Sequence, residues 1–160
     1  TLMLCANGAL SEPILYLSLY FKTHRQRYYD HLQRVRTKGA WEDWLKFFLA
    51  GVEETSKQAS DTANRIVELF KKDRARIAEL GRPAATALRV HEYFQSKPYL
   101  SIPAAAKALN LSKPTVNAAL DHLAKLKIAR ETTGRQRGRV FVYSRYLEIL
   151  SEGTEPISTR

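Results

Sequence analysis

Residues 101–123 read SIPAAAKALNLSKPTVNAALDHL, a stretch that leaves the backbone few choices. Ser101 and Ser112 are each followed two residues later by a proline, Pro103 and Pro114. A serine at a helix N-cap can accept a hydrogen bond from the first-turn amides. Proline suits that turn because the N–H it lacks would have no partner there. Two short helices therefore begin at Ser101 and Ser112, and Asn110-Leu111 makes the turn between them. Ala104, Ala105, Ala106, Ala108 and Leu109 keep the first helix slim, so the second can pack closely across it. Val116, Ala119, Leu120 and Leu123 face inward from that second helix.

The flanks complete a pattern. A helix from residue 84, with Leu88, Val90, His91, Tyr93 and Phe94, ends near Lys97-Pro98, and Tyr99–Ile102 reads as a short strand. Ile128–Thr132 and Val140–Tyr143 read as two strands joined by Gly134-Arg-Gln-Arg-Gly138, and a last helix is expected from about Arg145 to Leu150. Helix, helix, turn, recognition helix and two-stranded wing is the order of a winged helix-turn-helix.

Charge follows the same boundary. Of the net +10, residues 84–150 carry 11 Lys+Arg against 4 Asp+Glu, giving +7; residues 1–83 carry 14 against 10, giving +4; the last ten contribute −1. Such an imbalance favours a polyanionic partner. On the second helix, Pro114, Thr115, Ala118, His122 and Lys125 point outward, with Asn117 on the flank. Ser112 and Lys113 sit at the helix mouth, where N–H groups and the positive dipole end can meet a phosphate, and Lys113 is expected to hold one. Thr115 and Asn117 are the expected base-edge readers, since a hydroxyl and an amide can pair with groove atoms. Arg135, Arg137 and Arg139 alternate along the hairpin tip, where phosphate contacts would make binding fall steeply with salt. The DNA-contacting set is thus Ser112, Lys113, Thr115, Asn117, His122, Arg135, Arg137 and Arg139.

The first half is helical and carries no site by spacing. Asn7-Gly8 stops a short apolar run, and Ser11 and Pro13 open a helix to about Thr23 with Ile14, Leu17, Leu19, Tyr20 and Phe21 mostly buried. A helix follows from His24 to about Lys38, with Tyr28, Leu32 and Val35 on one stripe, and Gly39 closes it. Trp41, Trp44, Leu45, Phe48, Leu49 and Val52 recur with helical period, and so much aromatic area is expected to be buried. The proline-free run from Glu53 to about Leu80 also favours helix throughout. The sequence leaves open whether it joins the Trp41 helix in one rod or breaks from it at Gly51, the weak point between them. Gly81-Arg82-Pro83 then marks the boundary: residues 1–83 a helical bundle, 84–150 the winged helix, 151–160 a loose tail.

Several classes fall away. No apolar run approaches the ~18 residues a membrane span needs. No charged leader precedes an apolar segment and cleavage site, and the lone Cys5 cannot form an internal disulfide, so a reducing cytoplasm is expected. His24, His31, His91 and His122 lack carboxylate or thiol partners at ligand spacing and read as surface or interface residues, so no metal site is assigned. No nucleophile–base pair and no glycine-rich phosphate loop appears, so no catalytic residue is assigned.

Residues 11–52, SEPILYLSLYFKTHRQRYYDHLQRVRTKGAWEDWLKFFLAGV, resemble the region just downstream of the active-site motif in Fic-family proteins. The matching positions are Pro13, Leu17-Ser18, Tyr20-Phe21, His24-Arg25, Tyr28-Tyr29, Gly39, Trp41-Glu42, Trp44 and Phe47-Phe48-Leu49. A following winged helix is a familiar arrangement in one branch of that family, so the resemblance extends over roughly residues 1–150. It implies that the intact protein transfers AMP from ATP, with Mg²⁺, to a hydroxyl of a target protein. The motif this needs, His-Pro-Phe-x-(Asp/Glu)-Gly-Asn-Gly-Arg, is not in the sequence. The chain is read as the C-terminal part of such a protein, inactive by itself and needing no cofactor. It is expected to expose an apolar patch near Leu2, Leu4, Leu15 and Leu19 that could drive homodimerisation. Two other readings stay open: the winged helix as a protein–protein or dimerisation module, and a stand-alone transcription regulator with a ligand-sensing helical half.

Overall fold

A computed structural model describes residues 6–8, 16–135 and 138–152. Among these the chain is mainly helical, with seven helices and one small antiparallel sheet. In order they are α1 (Leu17–Thr23), α2 (Arg25–Lys38), α3 (Trp41–Ala78), α4 (Ala84–Ser96), β1 (Tyr99–Ser101), α5 (Ile102–Leu109), α6 (Lys113–Lys125), β2 (Arg130–Glu131), β3 (Val140–Val142) and α7 (Ser144–Ser151). No helix is long and apolar enough to cross a membrane among the described residues.

Contacts divide the chain into two compact units, the described part of one reaching Ala63 and the other running from Asn64 to Ser151. The second unit therefore begins well before the Gly81-Arg82-Pro83 break, and the end of α3 belongs to it. The structure decides what the sequence left open over residues 41–80: Trp41–Ala78 is one helix, and it continues through Gly51.

In the first unit, α1 and α2 pack on the start of α3. Gly39 ends α2 in the left-handed conformation (φ 64°), with its N–H bonded to Val35 O. Rings fill the space between the helices: Tyr20 lies 5.3 Å from Phe47, Tyr28 5.6 Å from Trp44, and His31 4.9 Å from Phe47, measured between centroids. Gly51 is a packing residue and not a weak point, because a Cβ there would meet Tyr20 Cδ1 at 2.6 Å.

Two burial expectations are corrected here. Trp41, Leu45 and Leu49 are 61%, 52% and 61% exposed, whereas Phe47 is buried. The apolar period of α3 spans more of the wheel than one layer of partners covers, and α1 and α2 take the side of Trp44, Phe47 and Gly51. Similarly Leu32 lies exposed on α2, and His24, Tyr28, His31 and Val35 form its inward stripe. Leu19 is half-buried, while Leu2, Leu4, Ile14 and Leu15 lie outside the described residues.

The second unit has one continuous core. Leu69 and Ile77 of α3, Ala87, Val90 and Phe94 of α4, Leu100 of β1, Ala105 and Ala106 of α5 and Val116, Ala119, Leu120 and Leu123 of α6 meet Phe141, Tyr143 and Ile149. Burying a side chain of Leu or Phe size is worth roughly 1.5–3 kcal/mol, so this cluster holds the unit together. The sheet has order β1-β3-β2. Leu100 faces Phe141 on one side of β3, and Glu131 faces Phe141 on the other, so the hairpin is tied into the core by a third strand.

Candidate nucleic-acid interface

The short turn between α5 and α6 is built as the sequence requires. Asn110 takes the left-handed conformation (φ 51°, ψ 52°), and Leu111 N–H bonds Ala106 O at 3.0 Å. Arg89 donates to Leu109 O, covering another carbonyl left open at the end of α5. Ser112 caps α6: its Oγ accepts from Thr115 N–H at 3.2 Å and lies 2.7 Å from Thr115 Oγ1. Ser101 occupies the equivalent position on α5 but makes no side-chain cap bond.

On α6, Ser112, Lys113, Pro114, Thr115, Ala118 and Lys125 are exposed, and Asn117 and His122 are half-buried. The outward face deduced from the sequence is therefore open, while Val116, Ala119, Leu120 and Leu123 are buried beneath it. The Thr115 hydroxyl is engaged by the cap serine, which fixes its direction.

The hairpin is held at both feet. After β2, the Glu131 carboxylate accepts from Thr133 N–H at 2.8 Å, from Gly134 N–H at 3.0 Å and from the Thr133 hydroxyl. The Thr133 hydroxyl bond, followed by the backbone donors, holds this carboxyl below the usual carboxylate range. Gly134 and Gly138 adopt positive φ (62° and 70°) on either side of the tip. Arg135 is exposed, and Arg137 lies outside the described residues. Before β3, Arg139 turns toward α6, where Nη1 bonds Asn117 Oδ1 at 3.1 Å and Nη2 reaches Asp121 Oδ1 at 3.4 Å. Two expected DNA-contacting residues are thus bonded to one another.

One polar cluster escaped the sequence reading. Tyr143, fully buried, donates to Asp73 Oδ2 at 2.6 Å, and His91 Nε2 lies 3.3 Å from the same hydroxyl. Arg76 bonds Asp73 Oδ1 at 3.0 Å and also donates to Leu126 O at the end of α6. His91 is 1% exposed, which corrects its reading as a surface or interface residue. Burial pushes its imidazole below the ordinary value, with the Asp73 charge pulling the other way. Burial, then the bond to Asp73, pushes the Tyr143 phenol well above its usual value. The signal was present: Asp73 sits midway between Leu69 and Ile77, a carboxylate on an apolar helical stripe.

No group of three or more His, Cys, Asp or Glu side chains among the described residues could hold a metal ion. No known protein-family model matches the chain.

Proposed function

We propose that the second unit is a winged helix-turn-helix module that binds double-stranded DNA, α6 entering the major groove and the β2–β3 hairpin forming the wing. One observation carries this reading: the open face of α6, with Lys113 and Thr115 at its start, and the basic hairpin are tied together in one compact unit through Arg139. Lys113 and Arg135 would hold phosphates. Thr115, Asn117 and His122 would face the bases, and Arg137 would extend the charge of the tip.

The first unit is assigned, on its resemblance, to the C-terminal helices of a Fic-type AMP transferase. The residues that carry the resemblance support the assignment by packing on one another: Phe21 lies 5.0 Å from Tyr28 and 6.2 Å from Trp44 between ring centroids. ATP and Mg²⁺ would belong to the motif that the sequence does not contain, so AMP transfer is proposed only for a protein that includes it.

The test is fluorescence anisotropy of a labelled random duplex with the full chain over a range of salt. Lys113→Ala combined with Arg135→Ala should lower the slope of log affinity against log salt by about two, one for each phosphate contact removed. Equal slopes for parent and double variant, or no binding by the parent at low salt, would refute the DNA reading.

A further inference from the structure

Arg139, Asn117 and Asp121 close a ring of hydrogen bonds. Arg139 Nη1 bonds Asn117 Oδ1 at 3.1 Å and Nη2 bonds Asp121 Oδ1 at 3.4 Å, while Asn117 Nδ2 donates to Asp121 Oδ2 at 3.0 Å. The guanidinium carbon also lies 4.8 Å from the centroid of Phe141, a fully buried core ring on β3. The Arg139 side chain is 28% exposed, far from the solvated state of an arginine waiting for a phosphate.

We infer that Arg139 is a positioning residue that clamps the returning strand of the hairpin to α6, and that Asp121 promotes duplex binding by holding that clamp. The chemistry fits the geometry. A planar guanidinium can bridge two acceptors one helical turn apart, which an ammonium on a flexible stem does poorly. Asn117 and Asp121 are four residues apart on α6, so their side chains lie on one face. An amide has two donor hydrogens and two acceptor lone pairs. The clamp takes one of each from Asn117 and leaves one of each for a base, with the side chain already oriented.

This assignment reverses the expected sign of one substitution. If Arg139 were only a phosphate contact, Asp121 would be a repulsive charge beside the DNA, and neutralising it would tighten binding. If Asp121 holds the wing in place, neutralising it weakens binding although a negative charge has gone.

The effect on binding rests on the DNA reading above, but the clamp itself does not, so two measurements are made on the full chain. Peptide-resolved amide hydrogen exchange over residues 128–143 reads the hairpin, and anisotropy against salt reads binding. Asp121→Asn and Arg139→Lys should each raise exchange in β2 and β3 and weaken duplex binding by about threefold to tenfold, the scale of one lost partly exposed ionic bond. The charge-preserving Arg139→Lys should leave the salt slope unchanged. Tighter binding by Asp121→Asn, parental affinity in Arg139→Lys, or unchanged hairpin exchange in both variants would overturn the inference. A parent chain that binds no duplex would remove the DNA reading, and the exchange measurement would still decide the clamp.

Discussion

Replacing Tyr143 by Phe removes one oxygen from the centre of the second unit. The hydroxyl is fully buried, donates to the Asp73 carboxylate at 2.6 Å and lies 3.3 Å from His91 Nε2. A hydrogen bond to a charged group contributes about 1.5–3 kcal/mol net, and a buried acceptor left without its donor costs about 1–3 kcal/mol. The two figures describe overlapping losses, and Asp73 keeps Arg76 at 3.0 Å. A destabilisation of about 2–3 kcal/mol follows. Both tryptophans, Trp41 and Trp44, lie in the first unit, so their fluorescence does not report this loss directly. Native-state amide exchange at Leu100 and Phe141 does, and protection should fall about 30-fold to 140-fold at tenfold per 1.4 kcal/mol. A second arm tests the cause. Asp73→Ala and Tyr143→Phe together should cost at least about 1 kcal/mol less than the sum of the single variants, because each leaves unpaired what the other removes. Strict additivity, or a single-variant loss under about 0.5 kcal/mol as at ordinary surface sites, would show that the network does not support the fold.

Two further outcomes follow from the packing. His91 has a depressed folded pKa, so the unfolded chain takes up its proton first as pH falls. Stability of the second unit should therefore be highest above the ordinary histidine value near 6.5 and should decline as pH drops below it. The decline should be absent in His91→Phe, as denaturation at a series of pH values would show. Gly51→Ala should lower the thermal midpoint of the first unit, since overpacking against Tyr20 at a cost of about 1–3 kcal/mol outweighs the roughly 1 kcal/mol gained in helix propensity; a raised midpoint would mean the ring yields freely.

Much of the second unit could be read in advance because its signals are local. Ser112, Pro114 and Asn110 specify caps and a turn within a few residues, and the alternation of Val116, Ala119, Leu120 and Leu123 fixes which face is buried. The arginines of the hairpin could be counted, but the sequence did not show that Arg139 turns back to Asp121, because that bond joins residues 18 apart. The same limit hid the pairing of β1 with β3 and the reach of Asp73 to Tyr143, 70 residues away. On α3 the apolar residues announced a helix correctly. With Trp41, Leu45 and Leu49 so widely spread around the wheel, though, only the tertiary partners could choose the covered face. Exposed polar groups of α6 were legible as a surface; their mutual bonds were not.

Lys127, just beyond α6, adopts φ 58°. A side chain in that left-handed region costs roughly 1–2 kcal/mol, a penalty that glycine escapes. By holding a lysine at this bend, the chain gives up conformational ease and keeps a cation where α6 gives way to the strand leading into the hairpin.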